Sequence, residues 1–287
     1  MELIIGKNSS FCYGVKRAVE GAKKEAKDST LYCLGEIVHN NQVLSYLKEK
    51  GVIFVDDIKD VKMNSKVIFR AHGVKKEVYE YAQKNNIKII DYTCPNVLKI
   101  HKLIEKYQND NYYIFLIGVK SHPETVASES FCNEGNYSLI TCIEELKDSI
   151  NRFREVNNKK LFIACQTTYN LEQFKMIIKI IKSYITSDVD IKVENTICNA
   201  TKLRQEETLN ISKNVDKMII IGSSNSSNTK KIYDISINEC KKCFLVENEK
   251  QLNQKYFNVN DRVGIVAGAS TPNESIIKVV SFLDNIK

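Results

Sequence analysis

Along the chain, short apolar runs rich in Ile, Val, Phe and Tyr alternate with polar turns and with segments of helical period. Strands are predicted at residues 3–5, 31–34, 52–55, 67–69, 87–90, 112–117, 161–164, 191–193, 218–221, 244–246 and 263–266. Helical stretches lie between them, as at 15–27 and 75–84. Such alternation predicts α/β architecture with mainly parallel sheets, because two parallel strands need a crossover connection between them. Folds of this class bind ligands in the crevice beyond the carboxyl ends of their strands.

The residues expected at those ends are unusually polar and chemically capable. Leu34 is followed by Gly35-Glu36-Ile37-Val38-His39-Asn40-Asn41, Phe69 by Arg70-Ala71-His72-Gly73-Val74, and Ile117 by Gly118-Val119-Lys120-Ser121-His122-Pro123-Glu124. Later strands run into Cys165-Gln166-Thr167-Thr168, Gly222-Ser223-Ser224-Asn225-Ser226-Ser227-Asn228 and Ala267-Gly268-Ala269-Ser270-Thr271-Pro272. Three of the four histidines fall in these segments; the fourth, His101, sits inside a predicted helix and reads as a surface or packing residue.

Composition narrows the class. A chain of 287 residues, 43% hydrophobic and 27% charged, can bury a sizeable core, and its length fits two domains or up to three small ones. No apolar run is long enough for a membrane span, and residues 1–10 do not read as a signal peptide, so a cytoplasmic location is expected. The formal charge of +7 is dispersed among acidic residues in helical stretches. Without a basic block, an aromatic platform or a zinc-finger spacing, nucleic acid is not the expected partner. A mild positive excess suits a small anionic substrate or an acidic protein better.

In a reducing compartment the nine cysteines call for an explanation, since disulfides are rare there and an odd number cannot pair completely. Three share one context. Cys12 follows the first strand and opens a helix; Cys94 ends Asp91-Tyr92-Thr93 and precedes Pro95, a favoured first helical residue; Cys198 ends Glu194-Asn195-Thr196-Ile197 and precedes another helix. A helix N-terminus stabilises a thiolate. Their wide, comparable spacing suggests one cysteine from each of three α/β units, although spacing alone leaves open whether the three converge. Cys33, Cys132, Cys142 and Cys165 read as packing residues. Cys240 and Cys243 have the spacing of a redox dithiol or half a zinc site, but no second pair accompanies them.

In order along the chain, these motifs resemble the IspH or LytB family of 4-hydroxy-3-methylbut-2-enyl diphosphate reductases. The resemblance rests on Phe11-Cys12-Tyr13-Gly14-Val15-Lys16-Arg17-Ala18, Gly35-Glu36-Ile37-Val38-His39-Asn40, Ala71-His72-Gly73-Val74 and Asp91-Tyr92-Thr93-Cys94-Pro95. It continues through His122-Pro123-Glu124, Gln166-Thr167-Thr168, Thr196-Ile197-Cys198 with Ala200-Thr201 and Arg204-Gln205, Asn225-Ser226-Ser227-Asn228, and Ala267-Gly268-Ala269-Ser270. Tyr13 after the first cysteine, Arg70, and Cys165 before Gln166 depart from the pattern without removing a catalytic group.

The resemblance implies three small α/β domains in a pseudo-threefold trefoil around a central iron–sulfur cluster. Their expected boundaries are 12–94, 95–195 and 196–287, the last completed by the N-terminal strand within 1–11. It implies a [4Fe–4S] cluster on Cys12, Cys94 and Cys198, with one open iron site able to take the substrate hydroxyl. The implied reaction is reductive dehydroxylation of (E)-4-hydroxy-3-methylbut-2-enyl diphosphate to isopentenyl and dimethylallyl diphosphate, the last step of the methylerythritol phosphate pathway to isoprenoid precursors. Glu124 becomes the expected proton source, supported by Thr167 and His122. His39, His72, His122, Ser226, Ser227, Asn228 and Ser270 become the expected diphosphate ligands. Reduced ferredoxin or flavodoxin is the implied electron donor. A nucleotide-binding enzyme is the main alternative, but Gly-x-Gly-x-x-Gly after the first strand and a Gly-Lys-Ser/Thr loop are both missing from the sequence. A metal-binding regulator built on Cys240 and Cys243 is the other.

Overall fold

The computed structural model describes residues 1–26 and 31–286. In chain order its elements are β1 (Glu2–Ile5), α1 (Tyr13–Glu25), β2 (Leu31–Leu34), α2 (Asn41–Glu49), β3 (Val52–Val55), β4 (Lys66–Phe69), α3 (Lys76–Lys84), β5 (Lys88–Asp91), α4 (Pro95–Asn109), β6 (Tyr113–Ile117), α5 (Pro123–Glu129) and β7 (Tyr137–Ile140). They continue with α6 (Leu146–Glu155), β8 (Lys160–Cys165), α7 (Leu171–Tyr184), β9 (Asp190–Val193), α8 (Asn199–Ser212), β10 (Lys217–Ile221), α9 (Ser227–Glu239), β11 (Cys243–Val246), β12 (Arg262–Ala267) and α10 (Asn273–Asp284). Every predicted strand forms, with ends shifted by a residue or so. The hydrophobic pattern misses β7, a four-residue edge strand in which only Ser138 and Ile140 are buried, too short and mixed to stand out. The helix predicted at 15–27 starts at Tyr13, and its last predicted residue, Lys27, lies outside the described residues.

The strands form three parallel four-stranded sheets, ordered β1-β12-β10-β11, β3-β2-β4-β5 and β7-β6-β8-β9. Numbered within its own sheet, each runs second, first, third, fourth; β1 serves as the fourth strand beside β10, β11 and β12. Met1–Glu20, Val38–Glu49 and Asn199–Lys287 form one compact unit, which holds the first of these sheets. Gly21–Ile37 and Lys50–Cys198 form the other, which holds the remaining two.

The cores follow from strand alternation. On β6, Tyr113, Phe115 and Ile117 face α6 and α7, joined there by Leu161 and Ile163 of β8. Ile114 and Leu116 face the opposite way, packing with Ile100 and Ile104 of α4. Both faces are thus covered, and the central strands read as continuous apolar runs. In the first unit Ile219, Ile221, Val263 and Ile265 pack against α10, while Met218, Ile220 and Val266 pack on Ile211 and Ile232 from α8 and α9.

Register brings the first and third strand of each sheet to the same level. Leu34 lies opposite Phe69, Ile117 opposite Cys165, and Ile221 opposite Ala267. Between these strands the chain reverses its direction of travel across the sheet, which is where open α/β sheets form their ligand crevice. A glycine ends the first strand every time, and its N–H donates to the second: Gly35 to Val55 at 2.7 Å, Gly118 to Ile140 at 3.1 Å, Gly222 to Val246 at 2.8 Å. At Gly118 a side chain would place Cβ 2.6 Å from Thr125 Oγ1, and at Gly222 the same distance from Thr229 Oγ1. No helix among the described residues is long and apolar enough to cross a membrane.

Because Thr125 is buried and branched at Cβ, it cannot swing away. Gly118→Ala is therefore expected to lower stability by about 1–3 kcal/mol through overpacking, measured as a shift in the urea unfolding midpoint.

Candidate active site at the strand ends

Cys12, Cys94 and Cys198 are presented identically by the backbone. Each leaves the fourth strand of a sheet, and its N–H donates to a carbonyl two residues beyond the third strand: Cys12 to Ala269 at 3.1 Å, Cys94 to Ala71 at 3.0 Å, Cys198 to Thr167 at 3.0 Å. Each then leads into a helix. The Cys12 carbonyl accepts from Lys16 N at 2.9 Å, and Cys94 caps α4 with Pro95 as its first residue. All three are half-buried and outside any disulfide. The helix starts supply positive partial charge to such thiols.

Other cysteines differ in kind. Burial pushes the Cys33, Cys132 and Cys165 thiols up to about 12, which keeps them protonated and unreactive. Cys243 is likewise pushed up to about 12, by burial and then by Cys240, and its Sγ donates to the Cys240 carbonyl at 3.1 Å. Cys240 sits at the end of α9 and Cys243 opens β11. Among the described residues no three His, Cys, Asp or Glu side chains close on a single metal ion. A cluster distributes its thiolates over separate irons, so its ligands need not converge on one point. Each of the three is a half-buried thiol at a helix start, the donor chemistry that a cluster takes.

In the first unit, α8 braces the loop that delivers Cys12. The Glu207 carboxylate accepts from Lys7 N at 2.7 Å, Asn8 N at 2.9 Å and Asn8 Nδ2 at 3.2 Å, and Arg204 donates to the Ser10 carbonyl at 2.9 Å. Ser9 Oγ accepts from Ala267 N at 3.1 Å. Held between these anchors, Ser10 adopts φ of 106°, a conformation that a non-glycine residue keeps only when its surroundings over-determine it. The buried face of α8 is itself mostly polar, carrying Thr201, Arg204, Gln205 and Thr208.

Ser226 caps α9 by accepting from Thr229 N at 3.3 Å, and Ser227 is the first helical residue. Asn228 Oδ1 accepts from Ala269 N at 3.0 Å. The Asn228 side-chain amide nitrogen and the Ser270 hydroxyl are buried with no protein partner, an arrangement that an incoming acceptor would satisfy. His39 is half-buried just before α2, whose Asn41 donates to Glu247 beyond β11 at 3.3 Å.

The second unit gathers the acid–base groups. Glu124 is 2% exposed; Oε1 accepts from Thr167 N at 2.5 Å and Oε2 from Thr167 Oγ1 at 2.7 Å. Burial raises its pKa from 4.5 to about 7, against the opposing pull of the two Thr167 hydrogen bonds. His122 caps α5, Nδ1 accepting from Glu124 N at 3.2 Å, so a neutral His122 carries its proton on Nε2. The His72 ring meets His122 edge-on, centroids 5.4 Å apart. Gln166 ties the two loops together, accepting from Val119 N at 3.1 Å and donating to Thr168 at 2.7 Å.

Thus His72, His122, Glu124, Thr167, Cys94 and Cys198 belong to one unit, and Cys12, His39, Ser226, Ser227, Asn228 and Ser270 to the other. His101 packs in the core, 3% exposed and stacked on Phe131 at 4.1 Å, and burial lowers its pKa to about 4. Glu207 and Gln166 carry structural duties that residue type alone does not reveal. Arg70 covers Gly35, where an added Cβ would lie 2.6 Å from its guanidinium, and donates to the Glu36 carbonyl at 3.3 Å.

Three parallel sheets with cysteines at helix starts and a buried carboxyl at a chain reversal define a class, and known proteins supply it. The LytB protein family matches residues 3–284, and the chain belongs to that family. It is 36% identical over 292 residues to the 4-hydroxy-3-methylbut-2-enyl diphosphate reductase of Caldanaerobacter subterraneus, covering 100% of this chain and 98% of that one. Identity to the enzyme of the same name from Clostridioides difficile is also 36%, over 288 residues and the full length of both. Among solved structures, the E-1-hydroxy-2-methyl-but-2-enyl-4-diphosphate reductase of Plasmodium falciparum aligns with a TM-score of 0.89 at 30% identity, over 99% of this chain and 88% of that one.

The raised pKa of Glu124 has a definite sign in stability. Its proton is held more tightly in the folded chain, so its contribution is complete below pH 4.5 and is lost as pH rises through about 7. Glu124→Gln is expected to flatten this part of the stability profile, read from urea midpoints across that window.

Proposed function

We propose that the protein is a 4-hydroxy-3-methylbut-2-enyl diphosphate reductase. The substrate's C–O bond breaks as two electrons and two protons enter; its oxygen leaves as water, and carbon receives the second proton. The products are isopentenyl and dimethylallyl diphosphate. Family membership supports this, and the observation that carries it is the pairing of repeated helix-start cysteines with Glu124, a carboxyl whose pKa of about 7 suits proton donation at neutral pH. The proposed domains are 12–94, 95–195 and 196–287 with strand 1–11, arranged as a trefoil that brings the three thiols together.

Cys12, Cys94 and Cys198 would hold a [4Fe–4S] cluster, which supplies electrons and, at the iron without a protein ligand, a Lewis-acidic point for the substrate hydroxyl. Thr167 holds both Glu124 oxygens in place, from where the acid proton would pass to the departing hydroxyl. His122 fixes the first turn of α5 and with it the Glu124 backbone. Ser226, Ser227, Asn228 and Ser270, with His39, His72 and His122, would bind the diphosphate. The unpartnered Asn228 amide and Ser270 hydroxyl support that role, as does the start of α9. Because none of these donors is Lys or Arg, the basic excess of the chain is free for another partner. The proposed electron donor is reduced ferredoxin or flavodoxin.

Anaerobically purified protein is expected to contain iron and sulfide and to convert the allylic diphosphate with reduced methyl viologen. Cluster-containing protein that forms neither product would refute the assignment. Cys94→Ser should lose iron and sulfide while Cys240→Ser keeps them; equal loss from both would remove the ligand assignment. Glu124→Gln is expected to keep its cluster but turn over about 100-fold more slowly or worse, and near-native turnover would exclude Glu124 as the proton donor.

A further inference from the structure

Helix α4 presents two unlike faces. Val97, Ile100, His101, Ile104 and Gln108 are buried. On the other side Pro95, Leu98, Lys99, Lys102, Leu103 and Lys106 line a shallow groove of about 420 Å³, with the three lysines exposed and the two leucines half-buried. These positions recur at helical spacing, so the groove runs about 16 Å along the helix. Its first residue is Pro95, the neighbour of Cys94.

The stripe is positive on balance. Lys99 Nζ lies 3.8 Å from Glu194, and Glu105, on the same helix, is drawn off to Lys76 at 3.4 Å. Lys106 lies 5.3 Å over the Tyr107 ring, and Lys102 makes no salt bridge among the described residues. Half-buried leucines between exposed lysines suit a protein surface better than a phosphate backbone: contact is apolar, and charge sets approach and orientation. A second copy of the chain would bring lysines against lysines.

Resting on the reductase reading above, the geometry points to the α4 stripe as the docking surface of an acidic electron-carrier protein. Each substrate consumes two electrons, taken from two reduced carriers that are each oxidised by one. A carrier seated on Pro95 and Leu98 stands at the first turn of the helix that starts from a proposed cluster ligand, which keeps the electron path short. Such encounters need only a small interface, and their rates rise with charge complementarity and fall with salt.

The test uses cluster-containing enzyme and a reduced acidic flavodoxin as probe, with reduced methyl viologen as the chemical donor. Lys99→Glu, Lys102→Glu and Lys106→Glu together are expected to raise the KM for flavodoxin about tenfold or more and to flatten its dependence on salt, with viologen-driven turnover unchanged. The milder triple change to Gln should shift KM in the same direction by less, and it serves if the reversal impairs folding. A control on α7, Lys175→Glu with Lys179→Glu and Lys182→Glu, changes net charge equally. An unaltered flavodoxin KM in the α4 variants, or an equal rise in the α7 control, would overturn the proposal. Loss of viologen-driven turnover in the unsubstituted enzyme would instead refute the reductase assignment.

Discussion

A single backbone hydrogen bond, made three times, underlies the way the candidate ligands are presented. Each of the three helix-start cysteines donates its N–H to the loop that leaves the neighbouring strand, so its position is fixed by main chain rather than by side-chain packing. The bond requires that the third and fourth strands be adjacent and parallel, that the loop turn back within two residues, and that a helix begin at once. Sheet order, register and helix start are thus constrained together, and the same constraint recurs in all three sheets.

Repetition of the backbone allowed the side chains to diverge. Glu124 and Asn228 each stand six residues beyond the glycine that ends the first strand of their sheet, and each accepts from an N–H two residues past the third strand, Thr167 and Ala269. One position therefore carries an ionisable acid, the other an amide. In the second unit the partner residue is a threonine that adds a second hydrogen bond; in the first it is an alanine, and the amide nitrogen is left for something else. A difference of two side chains on one scaffold puts an ionisable acid in one unit and an unpartnered amide donor in the other.

Much of this was legible in the sequence. Strands such as 113–117 and 217–221 are buried on both faces, so their apolar runs could hardly be mistaken, and the polar segments after them hold the candidate site residues. Hidden features depend on pairing across long separations. Glu207 meets Lys7 and Asn8 across about 200 residues, and nothing in a helical glutamate announces that role. β7 was hidden because half-burial at a sheet edge leaves almost no pattern. The α4 stripe was hidden by the chain's many other lysines, which conceal three that share a face.

The first strand of the chain pairs with the last: β1 lies against β12, and Cys12 bonds to Ala269. During synthesis the sheets containing β2 to β9 have all their strands by residue 193, whereas β1 must wait for residues 262–267 to emerge. Cys12 is the first of the three cysteines to leave the ribosome and the last to be seated. A chain stopped short of β12 would offer two thiols in place and one adrift. The backbone seat of Cys12 is therefore completed only once β12 has emerged, after those of Cys94 and Cys198.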